Sequence, residues 1–199
     1  ILSSACAQMG NHFNLPTGTA CGMTDSKFPD FQAGAERAYT LSCAATSGAN
    51  IVYESAGMYA SLLGTCPESL LMDNDVIGAA LRITRGIEVN EQTLSFDVLK
   101  DVCLGNHGHY LGAGQTLEVM QTEYIYPELG DRLSPNEWAE QGKPVLLDKA
   151  LARKKEILDN YFPSHVSDEV DRQIRAQFNI FLPRTAFGRA ELDVENVAV

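Results

Sequence analysis

The stretch from Cys103 to Arg132 (CLGNHGHYLGAGQTLEVMQTEYIYPELGDR) holds two of the chain's four histidines, His107 and His109, set among glycines at 105, 108, 112 and 114. A residue without Cβ loses the most backbone entropy on ordering and accepts positive φ, so these glycines break any helix and hold polar groups on irregular backbone. Two apart on extended backbone, the imidazoles aim to one side. That suits polar site residues first, structural hydrogen-bonded histidines next and metal ligands last, since no third ligand stands at a recognisable spacing. The pattern places Thr116 as the cap of a short helix with Leu117, Met120 and Tyr124 at helical spacing, closed by the aromatic run Tyr124-Ile125-Tyr126-Pro127-Glu128-Leu129. A glycine-rich, His-bearing loop leading into a helix and an aromatic clamp fits a small-molecule site, and a loop that only packs and caps fits the same spacing. His12 and His165 fall in helix or loop contexts with no partner pattern.

The elements that must position such groups alternate. Leu2, Cys6, Met9 and Phe13 recur at helical spacing up to Asn14 and predict a helix end with a buried face. Leu15 to Met23 is short, apolar and Gly-punctuated, a buried strand followed by the polar loop Thr24-Asp25-Ser26-Lys27. Pro29-Asp30 opens a second helix with the small-residue face Phe31, Ala35, Ala38, Leu41 and Ala45, ended by Gly48. Asn50 to Glu54 has the β-branched and aromatic content of a strand, and Ser55 to Tyr59 reads as a loop. Strand, helix, strand is the unit of a parallel sheet. Val76, Ile77, Ala80, Leu81 and Ile83, preceded by Pro67 and the acidic Asp73-Asn74-Asp75, form an amphipathic helix ending at Gly86; after Asn90, Leu94, Val98, Leu99 and Val102 suggest one more. Ser134-Pro135-Asn136-Glu137 is a capping box with proline at the first helical position. Val145 to Tyr161 is strongly amphipathic, and Ser167 caps a last helix carrying Val170, Ile174, Phe178 and Phe181. From Pro183 the pattern dissolves into an expected tail, poorly packed or docked on a partner.

A chain of 199 residues, 45% hydrophobic and 21% charged, can bury one core. Its net charge of -11 argues against nucleic acid, which demands clustered Lys and Arg. It has no apolar run of about 18 residues and no basic leader, so the expectation is a cytoplasmic protein off the membrane. The five cysteines, at 6, 21, 43, 66 and 103, include no C-x-x-C pair and read as small buried hydrophobes rather than a disulfide framework or a zinc site. The chain opens at Ile1 in what looks like the middle of a helix, the pattern of a fragment of a longer polypeptide.

Three motifs in this order and spacing resemble the trimethylamine methyltransferase (MttB) family: Thr24-Asp25-Ser26-Lys27-x-Pro29-Asp30-x-Gln32-Ala33-Gly34, Gly108-His109-Tyr110-Leu111-Gly112, and Tyr126-Pro127-Glu128-Leu129-x-Asp131-Arg132 with the Trp138 helix behind it. The resemblance spans nearly the whole chain. It implies an α/β fold: the last strands of a (β/α)8 TIM-type barrel over residues 1–130, a helical extension over 131–182 and a tail over 183–199. It implies methyl transfer from a methylated amine, connected with methanogenesis in the family, to a corrinoid. No pyrrolysine is written in the chain, which points to a member working without it, and the donor implied is a tertiary or quaternary methylated amine such as a betaine. The corrinoid-binding pattern Asp-x-His-x-x-Gly is not matched either, because His107 stands where Asp is needed in His107-Gly108-His109-Tyr110-Leu111-Gly112. The corrinoid is therefore expected on a partner protein, with no cofactor and no metal on this chain.

In a parallel barrel chemistry sits at the C-terminal ends of the strands, which nominates Asp25, Ser26, Glu54 and Ser55. Asp25 or Glu54, with His109, are the candidate catalytic groups; either carboxylate suits the cationic nitrogen of a quaternary amine. Glu54 equally fits a buried pair with Lys or Arg, and Asp25 and Asp30 fit turn and helix-cap roles. Tyr53, Tyr59 and Tyr110 are candidates for an aromatic cage, because a quaternary ammonium donates no hydrogen bonds and is held by ring quadrupoles. They also fit plain packing with a wet hydroxyl. Ser26, Ser55 and His107 complete the expected substrate-binding set. Two other readings stay open: a different enzyme on an α/β barrel, and a non-catalytic fragment kept for assembly. A truncated barrel leaves open edges and an uncovered apolar face, so a homo-oligomer or a portion of a larger chain is expected.

Overall fold

A computed structural model describes residues 1–105 and 108–188 of the chain. It divides into two compact units, Ile1–Leu151 and Ala152–Val199. In the first, β1 (Gly18–Ala20) and β2 (Ile51–Tyr53) pair in parallel, Gly18 opposite Ile51 and Ala20 opposite Tyr53, with helix α2 (Phe31–Thr46) between them in sequence. This is the strand-helix-strand unit that the sequence pattern implies. Asn50 fixes its entry by accepting the Thr17 amide at 2.9 Å, and Asp30 caps α2 by accepting the Ala33 amide at 3.0 Å. The chain leaves α2 through Gly48 at φ +80°.

The buried face of α2 is Ala33, Arg37, Leu41 and Ala44, not the predicted Phe31, Ala35, Ala38, Leu41 and Ala45. Phe31 is 90% exposed. The apolar reading skipped the arginine, and skipping it rotated the face. Cys21, Leu41, Ala44 and Ala80 form the core, with Val52, Val76 and Ile77 packed against it. Ala80 comes from helix α3 (Pro67–Arg85), which lies against α2. α3 starts at Pro67, a turn and a half before the acidic residues expected to precede it, so Asp73 sits in its interior and is buried.

Helix α1 (Leu2–His12) forms as expected, but its apolar stripe is not the buried one: Leu2, Met9 and Phe13 are exposed and only Ala7 is buried. The side meeting α2 is the small, polar one at positions 4, 7 and 11, where Ser4 and Asn11 donate to the Cys43 and Gly48 carbonyls. The loop expected over Ser55 to Tyr59 contains strand β3 (Met58–Tyr59), antiparallel to β4 (Gly64–Thr65).

The helix expected after Asn90 is two, α4 (Glu91–Leu94) and α5 (Phe96–Leu104), split where Ser95 adopts φ 55°. Thr116 is no cap: α6 (Gly114–Val119) begins after Ala113 and Thr116 lies inside it. The capping box holds, with Ser134 and Glu137 bonded reciprocally at the start of α7 (Pro135–Glu140). Helix α8 (Leu146–Asn160) buries Ala150 but leaves Leu158 exposed. Ser167 caps α9 (Asp168–Gln177), accepting the Val170 amide at 3.3 Å. Beyond Pro183 the expected looseness is absent from the described part: a 3-10 turn at Arg184–Phe187 buries Arg184, which pairs with Asp168 at 2.7 Å and Asp171 at 3.3 Å.

The chain is thus helix-rich, with two short two-stranded sheets among the described residues. No helix of the described residues is long and apolar enough to cross a membrane. The five cysteines are free thiols, and Cys6, Cys43 and Cys103 are exposed rather than buried.

Candidate functional site

Because β1 and β2 run parallel, the loops that follow them leave from one end of the sheet. They interlock. The Cys21 amide donates to the Tyr53 carbonyl at 3.4 Å, the Thr24 amide to Met58 at 3.3 Å and the Ala60 amide to Ser26 at 3.0 Å. Gly22 is where they come closest: at φ +89°, any Cβ there would lie 2.5 Å from the Ser55 carbonyl oxygen, so glycine is required twice over.

Beneath the loops lies a buried polar layer. The Arg37 guanidinium, 3% exposed, donates from Nε to the Gly22 carbonyl at 3.1 Å, from Nη1 to the Tyr59 hydroxyl at 2.9 Å and from Nη2 to the Met58 carbonyl at 2.9 Å. Nε also stands 3.2 Å from the Asp73 carboxylate, which accepts the Gly57 amide at 2.7 Å. The Tyr59 hydroxyl is 2.5 Å from Ser69 Oγ, and the guanidinium carbon stacks 4.2 Å from the Tyr59 ring centroid. Burial raises the Asp73 carboxyl above its ordinary range, and the Gly57 amide and Arg37 oppose that rise without cancelling it.

Above this layer opens a cleft of about 400 Å³ lined by Met23, Thr24, Asp25, Glu36, Tyr39, Ser61 and Leu62. Glu36 accepts the Thr24 hydroxyl at 2.6 Å, the Asp25 amide at 3.0 Å and the Gln32 amide group at 2.9 Å. The Thr24 hydroxyl first, then Gln32 and the Asp25 amide, hold Glu36 below the ordinary carboxylate range and hence anionic at neutral pH. Asp25 accepts the Ser61 hydroxyl at 2.5 Å. Ser61 belongs to a left-handed turn in which Ala60, Ser61 and Leu62 have φ of 50°, 54° and 69°. Such residues cost about 1–2 kcal/mol each, so the surrounding contacts impose this turn.

The structure brings some of the sequence-nominated residues here and not others. Asp25 lines the cleft. Ser26 is buried and donates to the Asp30 carboxylate at 3.0 Å, supporting the α2 cap. Glu54 follows β2 at φ 60°, exposed, so a buried ion pair is not its role. Ser55 backs the Gly22 approach. Tyr53 is half exposed on the sheet, and a Cβ at Gly18 would lie 3.3 Å from its ring. Tyr59 belongs to the buried layer with Arg37 on its face, and none of Tyr53, Tyr59 and Tyr110 lines the cleft. Tyr110 stands 3.6 Å from the Cys103 thiol, which raises the phenol above its ordinary range, and His109 is exposed on the same loop. His107 lies outside the described residues. Among the described residues no three His, Cys, Asp or Glu gather as a metal site.

Sequence reading missed Glu36, Arg37, Tyr39, Ser61, Ser69 and Asp73. One signal was available: an arginine four residues from Ala33 and from Leu41 interrupts an otherwise apolar helical stripe, and a charge there must be paired inside.

The family model for trimethylamine methyltransferase (MTTB) matches residues 1–180. The chain belongs to that family. It is 33% identical over 173 residues to a glycine betaine methyltransferase of Desulfitobacterium hafniense (strain Y51), covering 87% of this chain and 36% of the relative. It is 31% identical over 176 residues to trimethylamine methyltransferase MttB of Methanosarcina thermophila, covering 88% and 36%, and 30% identical over 176 residues to the MttB of Desulfitobacterium hafniense (strain DSM 10664 / DCB-2), covering 88% and 35%. The chain spans about 36% of the length of these relatives. The motifs that carry the MTTB resemblance have visible local work. Thr24 to Gly34 builds the cleft floor and the α2 cap. Tyr126 to Arg132 is fastened to α3, where the Asp75 carboxylate accepts the amides of Glu128, Leu129 and Gly130 at 2.8, 2.9 and 2.9 Å.

Proposed function

We propose that the protein to which this chain belongs moves a methyl group from a tertiary or quaternary amine, such as a betaine, to a corrinoid carried by a partner protein. The observation that carries the reading is the cleft at the C-terminal end of two parallel strands, with two carboxylates, Asp25 and Glu36, beside Tyr39 and Met23. A quaternary nitrogen donates no hydrogen bond, so its site must offer charge and apolar or aromatic surface together, which this cleft does. Loss of a methyl from such a nitrogen to a strong nucleophile needs no proton on the departing amine. The protein's task is to hold the cation with one methyl directed outward along the line of attack. The names of the three relatives, one for glycine betaine and two for trimethylamine, support a methylated amine as donor.

We read Ile1 to Gly130 as the closing part of a (β/α)8 barrel. Val52 packs toward α2 and α3, whereas Ile51 and Tyr53 on the other face of β2 are 65% and 50% exposed. A parallel sheet is normally covered on both faces. On this reading the bare face is the one the closed barrel turns inward, with Tyr53 at the mouth of that interior. The uncovered edges and bare apolar face also support reading the whole protein as a homo-oligomer.

The test is methyl transfer to cob(I)alamin by the full-length protein, measured over trimethylamine, glycine betaine and longer betaines. Transfer from at least one is expected, with Asp25→Asn and Glu36→Gln each raising KM several-fold. No transfer from any donor sinks the activity. An unchanged KM in both variants, with Tyr53→Ala raising it and Tyr53→Phe not, moves the amine to the bare face of the sheet.

A further inference from the structure

The cleft walls come from separate loops, one after β1 and one after β2. They are bonded to each other directly, by the backbone bonds already described and by Ser61 to Asp25, and from beneath one side chain of α2 grips both. Arg37 holds the Gly22 carbonyl of the first loop with Nε, and the Met58 carbonyl and Tyr59 hydroxyl of the second with its two terminal nitrogens. Its counter-charge, Asp73 on α3, holds the second loop again through the Gly57 amide. Ser69, also on α3 and fully buried, bonds the Tyr59 hydroxyl at 2.5 Å. Glu36 and Arg37 are consecutive on α2: the first faces the cleft and the second faces the layer beneath it.

We infer that Arg37 is a positioning residue: its three-way fork, held by Asp73, Tyr59 and Ser69, sets the separation of the two loops and therefore the width of the cation cleft. The inference rests on the methylated-amine reading of that cleft, since width matters most where a ligand has no hydrogen bonds to fix its place. The planar guanidinium supplies donors in fixed directions, and an ammonium on a flexible stem cannot address two loops at set distances. Arg37 does not itself line the cleft.

Tyr59→Phe is the informative variant because it keeps the ring under the guanidinium and removes only the oxygen shared by Arg37 and Ser69. In the full-length protein, amide hydrogen exchange is followed over residues 22–26, 57–61 and the Leu41 and Ala80 core, alongside calorimetric binding of tetramethylammonium. Exchange in both loops is expected to rise together, about tenfold, with the core amides unchanged and tetramethylammonium affinity reduced about tenfold. Arg37→Lys is expected to show the same pattern more strongly. Exchange that rises in one loop alone, or in the core as well, overturns the inference, as does full cation affinity in Arg37→Lys, which would make charge sufficient. Should Arg37→Lys fail to fold, Tyr59→Phe and Ser69→Ala carry the decision by the same two readouts. Failure of the activity reading looks different: the unaltered protein transfers no methyl group while the coupled loop exchange is intact.

Discussion

The glycine-rich segment after α5 and the pair of loops after β1 and β2 have opposite economies. The first concentrates chemistry-capable residue types within a few positions of sequence, yet His109 is exposed, the Tyr110 hydroxyl stands 3.6 Å from the Cys103 thiol and neither lines the cleft. The second draws Asp25, Glu36, Arg37, Tyr59, Ser69 and Asp73 from a stretch nearly fifty residues long and closes them into one bonded assembly. Proximity along the chain is poor evidence of proximity in space when the backbone between is irregular. A parallel strand pair is better evidence, because it obliges two distant loops to leave from the same end.

The contrast is sharpest for stability. Asp73→Ala leaves Arg37 buried with its charge uncompensated, which costs about 3–5 kcal/mol, whereas His109→Ala is expected to change stability by less than about 0.5 kcal/mol. Urea denaturation of the two variants measures the difference, and comparable losses would break the comparison. A smaller effect separates the glycines. Gly22→Ala forces a Cβ against the Ser55 carbonyl at positive φ and should destabilise by more than about 1 kcal/mol, while Gly114, with open space around it, should accept alanine within about 0.5 kcal/mol.

The smallest effect is in pH dependence. Asp30 is held low first by the Ala33 amide, Glu36 by the Thr24 hydroxyl and Glu137 by the Ser134 hydroxyl, so each stabilises the fold above its unfolded value, about 4, and loses that contribution as pH falls through its lower folded value. Asp73 runs the other way: raised by burial, it contributes fully below about 4 and loses that contribution as pH rises through its higher folded value. Denaturation midpoints between pH 7 and pH 3 should show Asp73→Asn removing the gain on approach to pH 4, and Glu36→Gln reducing the loss below it. Identical profiles for all three proteins would mean that these carboxyls are no differently placed in the unfolded chain.

Local rules carried far where the signal is local. Asp30, Asn90, Ser134 and Ser167 all cap the helices that follow them, because a cap depends on a side chain and an amide three residues away. The parallel β1, β2 pairing was equally readable from alternating strand and helix content. What could not be read was decided by contacts across the fold. The stripe Leu2, Met9 and Phe13 looks inward by composition, but α2 meets the Ser4, Ala7 and Asn11 side instead. The left-handed turn at Ala60, Ser61 and Leu62 contains no glycine to announce it. Arg37 and Asp73 become partners only once α2 and α3 lie side by side, and nothing in the spacing of either helix states that they will.

The Asp75 carboxylate, gripping the amides of Glu128, Leu129 and Gly130, fastens a point 55 residues further along the chain back onto α3. Once both ends of an excursion are pinned, its interior can change length at little thermodynamic penalty, since each doubling of a flexible loop adds only about 0.6 kcal/mol of closure entropy. The glycine-rich stretch inside this excursion is accordingly the place where insertions, epitope tags or whole reporter domains should be accepted without disturbing the strand ends.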